Sequence, residues 1–153
     1  MGRMYTVVLE GVAVTDAGDL IELTAPSDAV VVLHRIHLGQ SSDAADAQAE
    51  MLGITLSRVG TTGSGGSALT SRPHQVGDPA FGGSVAGQNT TDVVSPVTIL
   101  EEAFNVQAGW YYVPTPEERI VISPSGGLVL NPGSTPADSL TMHLSMTFEE
   151  IGG

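Results

Sequence analysis

The chain has 153 residues, with 17 acidic side chains against five arginines and no lysine, for a net charge of −12. It has no cysteine, which excludes disulfides and thiolate sites, and no basic stripe to meet a phosphate backbone or an anionic bilayer, which argues against nucleic acid and membrane as partners. No run reaches membrane-spanning length and the N-terminus lacks the layout of a secretory signal, so residues 1–153 are expected to form one soluble domain with its own core.

Charged residues make up 14% of the chain, against about 25% in an ordinary soluble domain, and mean hydropathy is +0.16. A surface built from Gly, Ser, Thr and apolar side chains suits burial against copies of itself or a scaffold.

Met4 to Val14 alternates, with Tyr5, Val7 and Leu9 on one face, and Gly11 predicts a bulge or bend that resets the phase for Val12 and Val14. Asp16-Ala-Gly-Asp19 is a turn by its Asp and Gly content, and turn chemistry accounts for both aspartates. With the strand Leu20–Thr24 it predicts an opening hairpin. Ala25-Pro-Ser-Asp28 ends that unit. Ala29 to Gln40 is the most hydrophobic run. Strict alternation puts Val30, Val32, His34, Ile36 and Leu38 on one face and Val31, Leu33, Arg35 and His37 on the other. Ser41 to Glu50 carries a cap at Ser42, Asp43 in the first turn and four alanines, which predicts one short helix. Met51 to Val59 returns to alternation, with Leu52, Ile54 and Leu56 inward.

Gly60 to Thr91 has no periodicity and is rich in Gly, Ser, Thr and Pro. Loops of this length inside a compact domain are usually functional or mobile. Arg72, Pro73, His74, Pro79 and Phe81 give it bulk and rigidity, so residues 60–91 read as an extended arm that orders against something. Val93 to Glu101 is a strand interrupted by Pro96, hence an edge or a bulge. Phe104, Val106 and Trp110-Tyr-Tyr-Val113 continue the pattern. Pro114 to Glu118 is a rigid turn, Arg119 to Ser123 a short strand, Ser125-Gly-Gly127 a reversal, and Leu128 to Leu130 a further strand. After the loop Asn131–Pro136, Leu140, Met142, Leu144, Met146 and Phe148 define one face of a closing strand, followed by a frayed Glu149–Gly153. Many short strands with turn signals every ten or so residues predict an all-β antiparallel sandwich, of jelly-roll type, with one short helix and one long arm.

No catalytic constellation is visible. His34 and His37 fall on opposite strand faces, which argues against a shared ion. His143 lies on the polar face of the last strand. Asp43, Asp46 and Glu50 read as a solvated helix face, since the ligand pattern of a calcium loop is missing. Gly-x-Ser-x-Gly does not occur, and the pairs Glu101-Glu102, Glu117-Glu118 and Glu149-Glu150 point to opposite faces if they lie on strands. No enzyme activity, cofactor or metal is therefore expected. Trp110 and Tyr112 share one side of their strand and Tyr111 the other. Trp110 reads as a core anchor, with an interface or carbohydrate-stacking surface as the alternative.

The segments Gly109-Trp-Tyr-Tyr-Val-Pro-Thr-Pro-Glu-Glu-Arg-Ile120, His34-Arg-Ile-His-Leu-Gly-Gln-Ser-Ser-Asp43, Arg72-Pro-His74, Gly77-Asp-Pro79 and Thr147-Phe-Glu-Glu-Ile-Gly152 resemble small virion structural proteins of tailed bacteriophages. The likeness is strongest to capsid decoration, or cement, proteins. It implies a β-rich homotrimer on the outer capsid surface, with the major capsid protein as its partner, stabilising the shell by bridging subunits. Arg72, Pro73, His74, Pro79, Phe81, Trp110, Tyr111 and Arg119 are then the candidate interaction residues. A tail-tube or head-completion protein and a carbohydrate-binding module stand as alternatives.

Overall fold

The computed structural model describes residues 2–42 and 50–152. The helix expected over Ser41–Glu50, and with it the Asp43, Asp46 and Glu50 face, falls largely on residues 43–49, outside the described residues.

Two antiparallel sheets pack face to face as a β-sandwich. The first contains β1 (Arg3–Val14), β3 (Ala29–Gln40), β6 (Arg72–Pro73), β9 (Trp110–Tyr112), β10 (Val121–Ile122) and β12 (Leu140–Gly152), in the order β10-β3-β12-β1-β6, with β9 also on β3. The second contains β2 (Ile21–Thr24), β4 (Met51–Arg58), β5 (Ser67–Ala68), β7 (Ser84–Gly87), β8 (Val97–Asn105) and β11 (Gly127–Pro132), in the order β5-β7-β2-β11-β4-β8. Between them lies a single apolar core, with Tyr5, Val7, Leu33, Ile36, Leu38, Met146 and Phe148 from the first sheet and Ile21, Leu23, Leu52, Ile54, Leu56 and Leu128 from the second, all at most 1% exposed.

β12 is the centre of the first sheet, bonded along nearly its whole length to β1 and to β3. Its alternation works as expected: Leu140, Met142, Leu144, Met146 and Phe148 are buried. The expected fraying at Glu149 is wrong. The strand runs to Gly152, and Glu150 is 3% exposed, accepting the Gly82 N–H at 3.2 Å and lying 3.6 Å from the Arg3 guanidinium. Two adjacent glutamates looked like a solvated tail; one of them is instead compensated inside the fold.

The Gly11 bulge is present. Glu10 and Gly11 stand against His143 alone, with Gly11 at φ +59°, and His143 Nδ1 accepts the Gly11 N–H at 3.2 Å. A second bulge was not foreseen. Arg35 pairs with Thr147 and Leu33 with Phe148, leaving His34 without a counterpart. The phase of β3 therefore flips, so that Val31, Leu33, Ile36 and Leu38 are all buried. His34 and His37 consequently share the outer face, contrary to strict alternation.

β1 and β2 are not a hairpin. They belong to different sheets, because the turn at 16–19 carries the chain across the sandwich, and β2 pairs with β7 and β11. The segment 60–91, read as an extended arm, orders along its own domain: Ser64 bridges Thr91, Thr61 bridges Val94 just past the segment's end, β5 and β7 extend the second sheet, and β6 extends the first. An aperiodic run here covers one edge of each sheet, which protects strands that would otherwise present unpaired backbone.

Candidate interaction surfaces

The arm residues gather beside β1. Pro73 and Arg72 pair with Tyr5 and Thr6, and His74 donates its backbone N–H to Met4 at 2.8 Å. His74 Nε2 lies 2.7 Å from Thr6 Oγ1, which is 2.9 Å from Thr147 Oγ1, and Arg35 donates to the same Thr147 hydroxyl at 3.3 Å. This polar chain runs over the outer face of the first sheet. On the inner side, Phe81 packs edge-on to Phe148 with ring centroids 4.8 Å apart and is tilted against Tyr5 at 5.6 Å. Tyr5 donates its hydroxyl to the Pro79 carbonyl at 3.0 Å, and burial raises its phenol above the ordinary value. Phe81 and Pro79 therefore fasten the segment to its own core.

Trp110, Tyr111 and Arg119 lie at the opposite edge of that sheet, beyond β3, so the structure does not bring the two candidate groups together. Trp110 is buried in the core, and its indole N–H donates to Glu102 Oε2 at 2.7 Å. Tyr111 is 63% exposed and stacks on His37, with centroids 4.1 Å apart and planes 13° from parallel. The expected split of the three aromatics is thus right. Arg119 is half-buried, with its Nε enclosed and without a hydrogen-bond partner among the described residues.

Around Trp110 the structure adds what the sequence did not single out. A groove of about 530 Å³ is lined by Ile99, Leu100, Glu102, Tyr111, Tyr112, Val113, Pro114 and Glu118. Ile99 sits in a bulge of β8, without a counterpart between the Leu56–Leu100 and Ser57–Thr98 pairs, and Val97 and Val113 beside it are 62% and 66% exposed. Burial, with Glu118 and Glu102 nearby, raises the Tyr112 phenol above its ordinary value. A second apolar group lies on the outer face of the first sheet, where Val121 pairs with Val32 and Ile151 with Val30; Val121 and Ile151 are exposed.

The third concentration of chemistry is acidic. Asp16, Asp19 and Asp92 line a depression of about 750 Å³ with Asn89 and Gln88. Its carboxylates are committed to the chain. Asp19 Oδ2 accepts from the Val93 N–H at 2.8 Å and from Asn89 at 3.2 Å, and Glu22 Oε2 accepts from Asn89 at 2.6 Å and from the Gly63 N–H at 3.1 Å. Asp92 accepts the Asp19 N–H at 3.0 Å. Turn chemistry describes Asp16, which accepts the Gly18 N–H, but not Asp19, a buried anchor for the second leg at Asn89 and Val93, while Glu22 holds the first leg at Gly63. Among the described residues no three His, Asp or Glu side chains are placed to hold a metal ion. Compared with protein-family models, curated proteins and solved structures, the chain matches none.

Proposed function

We propose that the chain is a structural protein of a tailed-phage virion, acting as a capsid decoration protein that covers and bridges subunits of the shell. The observation that carries this reading is the set of apolar side chains left exposed or half-exposed in two groups, the β8–β9 groove and the patch of Val121 and Ile151 beside the half-buried Val30 and Val32. Aliphatic groups clustered on strand surfaces mark association. On this reading the valine and isoleucine patch joins copies into a homotrimer and the groove side meets the major capsid protein. Each contact is modest and is multiplied by symmetry.

Strand order supports a jelly roll. β1, β12, β3 and β9 with β10 make one four-strand set and β2, β11, β4 and β8 the other, and among these strands the chain passes from one set to the other at every step except β4 to β8, which pair directly. Jelly rolls serve both viral capsids and lectins, so the fold alone does not choose between these classes. The test is sedimentation with emptied phage heads. Co-sedimentation that saturates is expected; a protein left in the supernatant at every ratio overturns the assignment.

One observation favours a second reading, a carbohydrate-binding module. The exposed Tyr111 ring, backed by His37, stands near a shallow depression of about 250 Å³ over Gly39, which His37, His143 and Ser145 help to line. Trp110 is buried and cannot stack on a sugar. Glycan binding abolished by Tyr111→Ala would select this reading.

A further inference from the structure

We propose that the free edge of β8 docks an extended basic segment of a different protein, which adds a strand to the second sheet. The inference deepens the reading above, resting on it for the existence of a structural partner and adding that partner's chemistry.

β8 ends its sheet and, among the described residues, pairs only with β4. Outward-facing peptide groups along its nine residues therefore lack a strand partner. The neighbouring groove offers apolar walls at Ile99, Leu100 and Val113, with the Glu102 and Glu118 carboxylates among them. An added strand would set aliphatic side chains against those walls and cationic ones against the acids.

Charge decides which strand fits. Antiparallel pairing of Val97–Asn105 with its own copy, in full register, places Glu101 opposite Glu101 at the centre. Like charges directly opposite are destabilising, and each copy brings a net −12. The Ile99 bulge and Pro96 disturb the N-terminal half for any added strand, which leaves regular pairing to Leu100–Asn105. No other segment of this chain supplies a basic strand: its nearest two bases, Arg58 and Arg72, are 14 residues apart. The occupant is therefore a basic, extended stretch of another protein, drawn in by opposite charge and held by backbone pairing.

The test uses the whole protein and a short labelled peptide of alternating valine and lysine. Two controls accompany it, one with glutamate for lysine and one N-methylated on the amides of its pairing edge. Binding of the Val/Lys peptide is expected, with amide shifts along Leu100–Asn105 and none for the Val/Glu peptide. N-methylation, which keeps the charge and removes the donors, should weaken binding by about tenfold or more, and so should Glu101→Lys combined with Glu118→Lys. Equal binding of the N-methylated or the Val/Glu peptide, or amide shifts confined to another face, overturns the proposal. Failure to bind the peptide by a protein that still sediments with phage heads refutes the edge and spares the virion reading. Peptide binding without sedimentation does the reverse.

Discussion

Trp110 and Glu102 join the two sheets at one side of the sandwich. They are eight residues apart in sequence, yet Trp110 lies on β9 of the first sheet and Glu102 on β8 of the second, with 2.7 Å between indole nitrogen and carboxylate oxygen. The bond satisfies the one polar atom of a buried indole and holds the free edge strand against the body of the domain. Because Glu102 is itself exposed, the pair should be worth about 1 kcal/mol rather than the larger value of a buried charged bond. A double-mutant cycle of Glu102→Ala and Trp110→Phe in urea denaturation measures the coupling directly. Coupling near zero would mean that the carboxylate does no more than sit beside the ring.

Gly11 and Gly39 make a matched pair of glycine tests. A side chain at Gly11 has room, its nearest neighbour being the His143 ring at 3.7 Å, but the backbone sits at φ +59°. Gly11→Ala should therefore cost about 1–2 kcal/mol from conformation alone. Gly39 has nothing within 4 Å and no such backbone, so Gly39→Ala should change stability by less than about 1 kcal/mol in either direction. Equal effects at the two positions would remove the bulge explanation.

Phe81→Ala tests how the 60–91 segment is held. The ring contacts Tyr5 and Phe148 but is only partly buried, so the loss should be about 2 kcal/mol, below the range for a fully buried phenylalanine. Limited proteolysis should then cut first within 60–91 while the sandwich survives. Unchanged protease resistance there would show that the hydrogen bonds of β5, β6 and β7 suffice.

Much of the fold is legible in the sequence where one face of a strand is dry and the other wet, as in β12 and β4. Glycine also announces the β1 bulge. What escapes is whatever local pattern does not encode. The bulge at His34 leaves no glycine signature, and it reverses the face of every residue before it. Which strand β2 pairs with depends on sheet packing, so a turn rich in Asp and Gly looks like a hairpin although it crosses between sheets. The 60–91 segment reads as an arm because edge strands of two to four residues are too short to show a period. Of the candidate interaction residues, Tyr111 is an exposed platform, while Pro79, Phe81 and Trp110 are held by their own domain. Glu102 escapes because sequence places it only as one of two neighbouring carboxylates on opposite strand faces and does not show which of them meets the indole.

Asp19 should give stability a distinctive pH dependence. Burial raises its carboxyl above the ordinary 3.8, outweighing the bonds from Val93 and Asn89, and Asp92 adds to the rise. The folded state then keeps this proton to higher pH than the unfolded chain. Its contribution is fully present below 3.8 and is lost as pH rises through the raised value. Asp19→Asn should flatten the stability profile across that acidic window, measured as urea midpoints. An unaltered profile would assign the dependence to other carboxylates.

Light scattering on the purified protein decides whether the exposed aliphatic patch joins copies of the chain. A mass near three times 15.7 kDa is expected, falling to that of one chain when Val121→Glu and Ile151→Glu place carboxylates in the patch. A wild-type protein that stays at the mass of one chain at every concentration contradicts that role.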